Sequence, residues 1–113
     1  MVHSAAQLGR LEQDLRKGAL VLAVLSQLRT PQYGYSLRQA LAQRGMPIEE
    51  GTLYPLLRRL ESQGLLASQW QAEDGPPRRY YELSALGTGV YQDLTSAWGS
   101  LASVMNRLLT EED

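Results

Sequence analysis

The sequence predicts a mainly α fold with one small β-hairpin, and three observations carry that prediction. Leucines recur at three- and four-residue spacing through most of the chain, the period of a helix face. Between Leu66 and Leu83 the period drops to two, with aromatic residues on both sides of the turn cluster Glu73-Asp74-Gly75-Pro76-Pro77. Breakers at Thr30-Pro31, Gly45, Pro47 and Gly64 cut the helical stretches into separate pieces.

The elements follow in order. Leu8, Leu11, Leu15, Leu22 and Leu25 share one helix face, so residues 5–29 read as a first helix with Gly18 as its weak point. Thr30-Pro31-Gln32 ends it, because a residue before proline resists the helical region. A second helix covers 35–44, with Leu37, Ala40 and Leu41 inward and Gly45 as C-cap. Met46-Pro47-Ile48 is a tight connection. The third helix runs to about Gln63 with Leu53, Leu56, Leu57 and Leu60 buried, and Gly64 closes it. Proline is tolerated where the amide is orphaned, so Pro55 places the cap of this helix near Gly51 or Thr52. A hairpin follows, and from Ser84 the chain is helical again to about Leu109.

Composition excludes several classes. At 113 residues the chain suits one domain with a modest core. No apolar run approaches the roughly 20 residues of a membrane helix. The longest, Ala19 to Leu25, is short and lies too far in for a signal peptide, which points to the cytoplasm. Without cysteine there is neither disulfide nor thiolate metal site. The only histidine is His3. Glu49 and Glu50 are adjacent, so on a helix they point apart and read as an ordinary acidic helix start. Catalysis, metal and cofactor therefore find no candidate residues.

The charge becomes informative once divided. The net formal charge is -1, yet residues 29–79 hold seven arginines against five acids, while 84–113 hold Arg107 against four acids. Ten of the eleven cations are arginine, the side chain suited to bidentate phosphate and guanine contacts.

Three helices followed by a two-stranded hairpin is the order of a winged helix-turn-helix, in which the third helix enters the DNA major groove. Residues 1–83 would form this unit and 84–113 a C-terminal dimerisation helix. On that reading Thr52, Tyr54 and Arg58 lie on the recognition helix, whose N-terminal amides and dipole favour phosphate. Arg38 and the wing pair Arg78 and Arg79 reach phosphates, and Tyr33 and Tyr35 add backbone hydrogen bonds. Alternation puts Tyr81 on the side of Leu83, in the core, which leaves Tyr80 nearer the DNA. Trp70 packs under the wing.

The ordered set Tyr33-Gly34-Tyr35, Gly51-Thr52-Leu53-Tyr54-Pro55, Arg59-Leu60-Glu61, Gly64-Leu65-Leu66 and Arg79-Tyr80-Tyr81 with Leu83 and Gly87 resembles the PadR family of bacterial transcriptional regulators. The resemblance spans about residues 20–95 and implies a homodimeric repressor acting on a pseudo-palindromic operator in double-stranded DNA. The length, with one helix after the wing, is similar to the family's shorter subgroup. There the last helix crosses to pack on the partner's first helix.

The tail carries its own signal for a dimer. Leu94, Trp98, Leu101, Met105 and Leu108 are spaced four, three, four, three, a heptad seam, and Leu8, Leu11, Leu15, Leu22 and Leu25 fit the same repeat on the first helix with Gly18 filling one position. Trp98 is flanked by the small residues Ala97 and Gly99. It resembles the tryptophan with which some multidrug-sensing relatives sandwich flat aromatic ligands at the two-fold axis. The resemblance thus implies release by a planar aromatic or hydrophobic effector. The alternatives are Trp98 as plain dimer core, in a DNA-binding regulator controlled by its own level or by a protein partner, and a helical adaptor without DNA binding.

Overall fold

A computed structural model describes residues 4–72 and 74–111; His3 lies outside them. The chain folds as α1 (Ala5–Gln27), β1 (Gln32–Tyr33), α2 (Gly34–Gln43), α3 (Glu50–Ser62), β2 (Leu66–Gln71), β3 (Arg78–Leu83) and α4 (Ala85–Thr110). The expected helices and hairpin are present, with ends shifted by one or two residues.

Two differences are larger. The sequence reading has only a break at Thr30-Pro31-Gln32, whereas Gln32 and Tyr33 form a short strand pairing with β3, Gln32 opposite Tyr81 and Tyr33 opposite Tyr80. The sheet is therefore three-stranded and antiparallel, in the order β1-β3-β2. Two residues are too few for a period-two pattern to register. The second difference is the start of α3. Its N-cap is Glu49, so Pro55 falls at the sixth helical residue rather than in the first turn. The Gly51 carbonyl, four residues back, loses its usual amide partner, but Gly51 is exposed, so that carbonyl is not stranded in the core.

The core lies where α1, α2, α3 and the sheet meet. Val24, Leu25, Leu28, Leu37, Leu53 and Leu57 are fully buried there, with Leu41, Leu60, Leu66 and Tyr81 nearly so. Leu25 therefore belongs to the core and not to a helix–helix seam. Both internal helices end as their glycines predict. At α2, Met46 N–H bonds to Leu41 O and Gly45 N–H to Ala42 O; at α3, Leu65 N–H bonds to Leu60 O and Gly64 N–H to Glu61 O. Each is a Schellman motif with the glycine at positive φ, 89° and 81°. These stops set the turn between α2 and α3, and hence the pose of α3.

The start of α4 is fastened to the sheet. The Ser84 hydroxyl accepts from Gly87 N–H as N-cap and donates to Gly64 O, while Ser84 N–H bonds to Leu65 O. Gly87 lies directly against the Leu65 carbonyl, leaving no room for a Cβ. Beyond this joint, Tyr91, Thr95 and Trp98 line a groove with Ala19, Leu22 and Ser26 of α1, and the Arg29 guanidinium sits 5.7 Å from the Tyr91 ring centre.

Candidate nucleic-acid interface

Helix α3 buries one face and offers the other. Leu53, Leu56, Leu57 and Leu60 point into the core, leaving Thr52, Pro55, Arg58 and Arg59 exposed. Thr52 and Arg58 are thus open to solvent. Tyr54 is half-buried, its ring seated on Gly34 where any Cβ would collide with it. That contact locks the start of α3 onto the start of α2, so Tyr54 is held in one orientation at the rim.

A cleft of about 380 Å³ opens between α3 and the wing, the hairpin of β2 and β3. Tyr33, Tyr35, Tyr54, Arg58, Trp70 and Arg78 line it together with Arg79 and Tyr81, so it gathers eight aromatic or cationic side chains from five elements. The Arg78 guanidinium lies 4.6 Å from the Tyr33 ring centre. Tyr33 packs edge-on against Tyr80 at 5.3 Å and stacks near Tyr35 at 6.4 Å. The Tyr35 hydroxyl accepts from Gln39. Tyr80 is half-buried and Tyr81 is the core residue, as alternation predicts.

The other two arginines assigned to phosphates already have partners within the chain. Arg38 donates to Glu50 at 3.0 Å and to the Ile48 carbonyl at 3.2 Å, bracing the turn between α2 and α3. Arg79 donates to Glu61 at 2.8 Å and to the Ser68 hydroxyl at 3.1 Å, and Ser68 in turn donates to Glu61. This network ties the wing to the last turn of α3. Among the described residues, Arg58 and Arg78 have no carboxylate partner. Burial pushes the Tyr81 phenol above its usual range; Arg79 opposes the shift and Glu61 reinforces it.

Trp70 is the residue that sequence reasoning placed wrongly. It is 66% exposed, not packed under the wing. It shares the core-facing side of β2 with Leu66 and Ser68, but by Trp70 the strand has run past the end of the core.

No helix among the described residues is long and apolar enough to cross a membrane. Among those residues, no cluster of three or more His, Cys, Asp or Glu is placed to hold a metal.

A helix-turn-helix braced by Schellman stops, a three-stranded sheet that carries the wing and an arginine–tyrosine cleft between wing and third helix define a winged-helix nucleic-acid-binding protein. Comparison makes the class specific. Residues 21–93 match the transcriptional regulator PadR-like family. A PadR family transcriptional regulator from Eggerthella lenta is 46% identical, superimposes with a TM-score of 0.87, and is matched over 95% of this chain and 96% of its own. A PadR-like regulator from Bacillus cereus is 30% identical, with a TM-score of 0.78 over 88% and 99%. A transcriptional regulator of Mycobacterium tuberculosis is 39% identical over 70 residues, 62% of this chain and 65% of that protein. This chain belongs to the PadR-like family of transcriptional regulators, and DNA-binding regulation rather than catalysis is that family's activity.

Proposed function

We propose that this regulator is a homodimeric repressor, released from its operator when a planar aromatic molecule binds beside Trp98. The observation that carries the reading is the apolar stripe on α4. Leu94, Trp98, Leu101, Met105 and Leu108 are all exposed, Trp98 by 51% and Leu108 by 59%, and Leu8, Leu11 and Leu15 are equally bare on the N-terminal half of α1. So much aligned apolar surface is a partner surface. A second copy supplies a matching stripe under two-fold symmetry.

In the dimer, two α3 helices read successive major-groove faces, so the operator is a pseudo-palindrome with half-site centres about 10 base pairs apart. Thr52, Tyr54 and Arg58 read the groove, while Arg78, Tyr33, Tyr35 and Tyr80 hold the flanking backbone. Arg38 and Arg79 face the same DNA but act first as braces, through Glu50 and Glu61. Trp98 borders a groove of about 340 Å³ with Leu22 and Tyr91, an aromatic wall suited to a flat ring. Such a ligand regulates only by fitting one spacing of the two α3 helices better than another.

Selection of bound duplexes from a random pool tests the DNA reading. Recovery of a two-fold-symmetric site supports it, and recovery of no sequence above background sinks it. Replacing Arg78 by Ala lowers affinity for every duplex and flattens the salt dependence by about one unit of slope. Binding of planar cationic dyes, followed through the dye's own fluorescence, tests the effector. Trp98→Ala abolishes the response and keeps the dimer; if it dissolves the dimer instead, Trp98 is core and the regulator works without this ligand.

A further inference from the structure

We infer that Trp70 is a DNA-contacting residue of the wing, laying its indole on the deoxyribose ridge of the strand that runs between the α3 major groove and the neighbouring minor groove. The inference rests on the DNA-binding reading above and extends the interface to Trp70.

The register of the hairpin fixes where the ring lies. Leu66 pairs with Leu83, Ser68 with Tyr81 and Trp70 with Arg79, so Leu66, Ser68 and Trp70 line the inner face of the wing. At the base of that face Leu66 and Tyr81 are buried. At its outer end the indole stands in the open, on the wall of the cleft facing Tyr54 and Arg58 of α3. A large ring on the inner face of a projecting hairpin, two-thirds exposed, gains nothing from its own fold.

The ring is also backed from behind. The Arg79 guanidinium lies 5.9 Å from the Trp70 ring centre and 5.4 Å from that of Tyr81. Glu61 and Ser68 fix this guanidinium, so the indole rests on a held plane rather than on a mobile side chain. A preorganised aromatic face loses little conformational freedom on contact.

The chemistry of the cleft selects the occupant. Arg58 and Arg78 line the cleft with the indole and, among the described residues, have no carboxylate partner, while Glu61 beneath the wing is already taken by Arg79. An occupant with anionic groups on both sides of an apolar face fits that pattern. A sugar–phosphate strand has it, with phosphates for the two arginines and the C–H face of deoxyribose for the ring. Such a contact carries no base information.

The test is titration of full-length protein and of its Trp70→Ala and Trp70→Phe variants. The probes are a duplex chosen by selection from the random pool and a scrambled duplex of equal length, at several salt concentrations. Trp70→Ala weakens binding to both duplexes by the same factor, about five- to tenfold, with an unchanged salt slope because no charge is lost. Trp70→Phe restores most of the affinity. Equal affinity of Trp70→Ala and the parent overturns the contact while leaving DNA binding by the protein intact. A loss confined to the selected duplex also overturns it, since that is the signature of a ring inserted at a base step. Absence of binding by the parent to either duplex removes both this inference and the reading beneath it. Thermal melting of the three proteins separates a folding defect from a lost contact.

Discussion

The winged unit and helix α4 spend their apolar residues in opposite ways. Between Val24 and Tyr81 the chain buries six side chains completely among α1, α2 and α3 and closes the core with the sheet. Helix α4 is twice the length of α3, 26 residues against 13, yet only Gly87 in it is buried. The winged unit closes its core within one chain, whereas α4 leaves its apolar residues in the open. The two meet at one joint, where Ser84 and Gly87 close on Gly64 and Leu65. Stability measured on each side of that joint should therefore answer to different substitutions.

The joint is where the largest loss is expected. A Cβ on Gly87 would run into the Leu65 carbonyl, a backbone atom that cannot swing aside. Gly87→Ala must push the base of α4 off the sheet, at a cost of roughly 3 kcal/mol, the upper range for overpacking. Chemical denaturation checks it. A stability change within about 0.5 kcal/mol would mean that α4 is hinged rather than fastened, and the contrast between the two regions would lose its boundary.

Next comes the seam. Leu101 is 54% exposed in the single chain, so Leu101→Asp should leave the fold of one chain nearly untouched. In a dimer it buries a carboxylate among leucines, which weakens association by at least about a hundredfold. Sedimentation against concentration, with circular dichroism as the control for folding, reads the two effects apart. Unchanged association would show that the stripe on α4 is not the partner surface.

How these regions read in the sequence differs for physical reasons. The leucine periodicity and the glycine stops are local signals, and they place all four helices and both Schellman turns. Alternation within β3 separates buried Tyr81 from half-buried Tyr80 for the same reason. What local patterns do not carry is pairing between distant segments. The strand at Gln32 and Tyr33 exists only because β3 offers it an edge. Arg79 looks like a free wing cation until Glu61, eighteen residues away, is seen to hold it. Trp70 is on the inward face as its alternation suggests, but only the three-dimensional length of the core decides that this part of the face is bare. Pro55 misleads in another way, because one exposed carbonyl lets a proline sit deeper in a helix than the first turn.

The wing brace should show a smaller effect than the joint or the seam. Glu61 is about a quarter exposed and Arg79 somewhat more, 27% and 37% for the side chains, so solvent screens part of their attraction. Glu61→Gln keeps the shape, removes the charge and should destabilise by about 1 kcal/mol. The corresponding change at the more exposed Arg38–Glu50 pair, Glu50→Gln, should cost under about 0.5 kcal/mol. Equal costs at the two pairs would mean that the wing is no more tightly braced than the turn between α2 and α3.

The smallest effect is expected from the alkaline titration of Tyr81, and it probes the winged unit alone. Burial favours the neutral phenol and raises its folded value above the unfolded 10.0, with Arg79 pulling it back and Glu61 adding to the rise. The folded state therefore holds the proton more tightly than the unfolded chain. The stabilisation is fully present below pH 10 and is lost as pH climbs through the raised value. At pH 11 the loss cannot exceed about 1.4 kcal/mol, because each pH unit above the unfolded value costs at most that much. Tyr81→Phe keeps the ring in the core and abolishes the titration, so parent and variant should diverge in stability only above pH 10. Glu61→Gln removes the negative charge that adds to the rise, but it also frees Arg79 to act on the phenol without a competitor. The double change with Tyr81→Phe should therefore show no alkaline difference from Tyr81→Phe alone. A divergence that survives in the double variant would place the titrating group elsewhere in the wing and not at Tyr81.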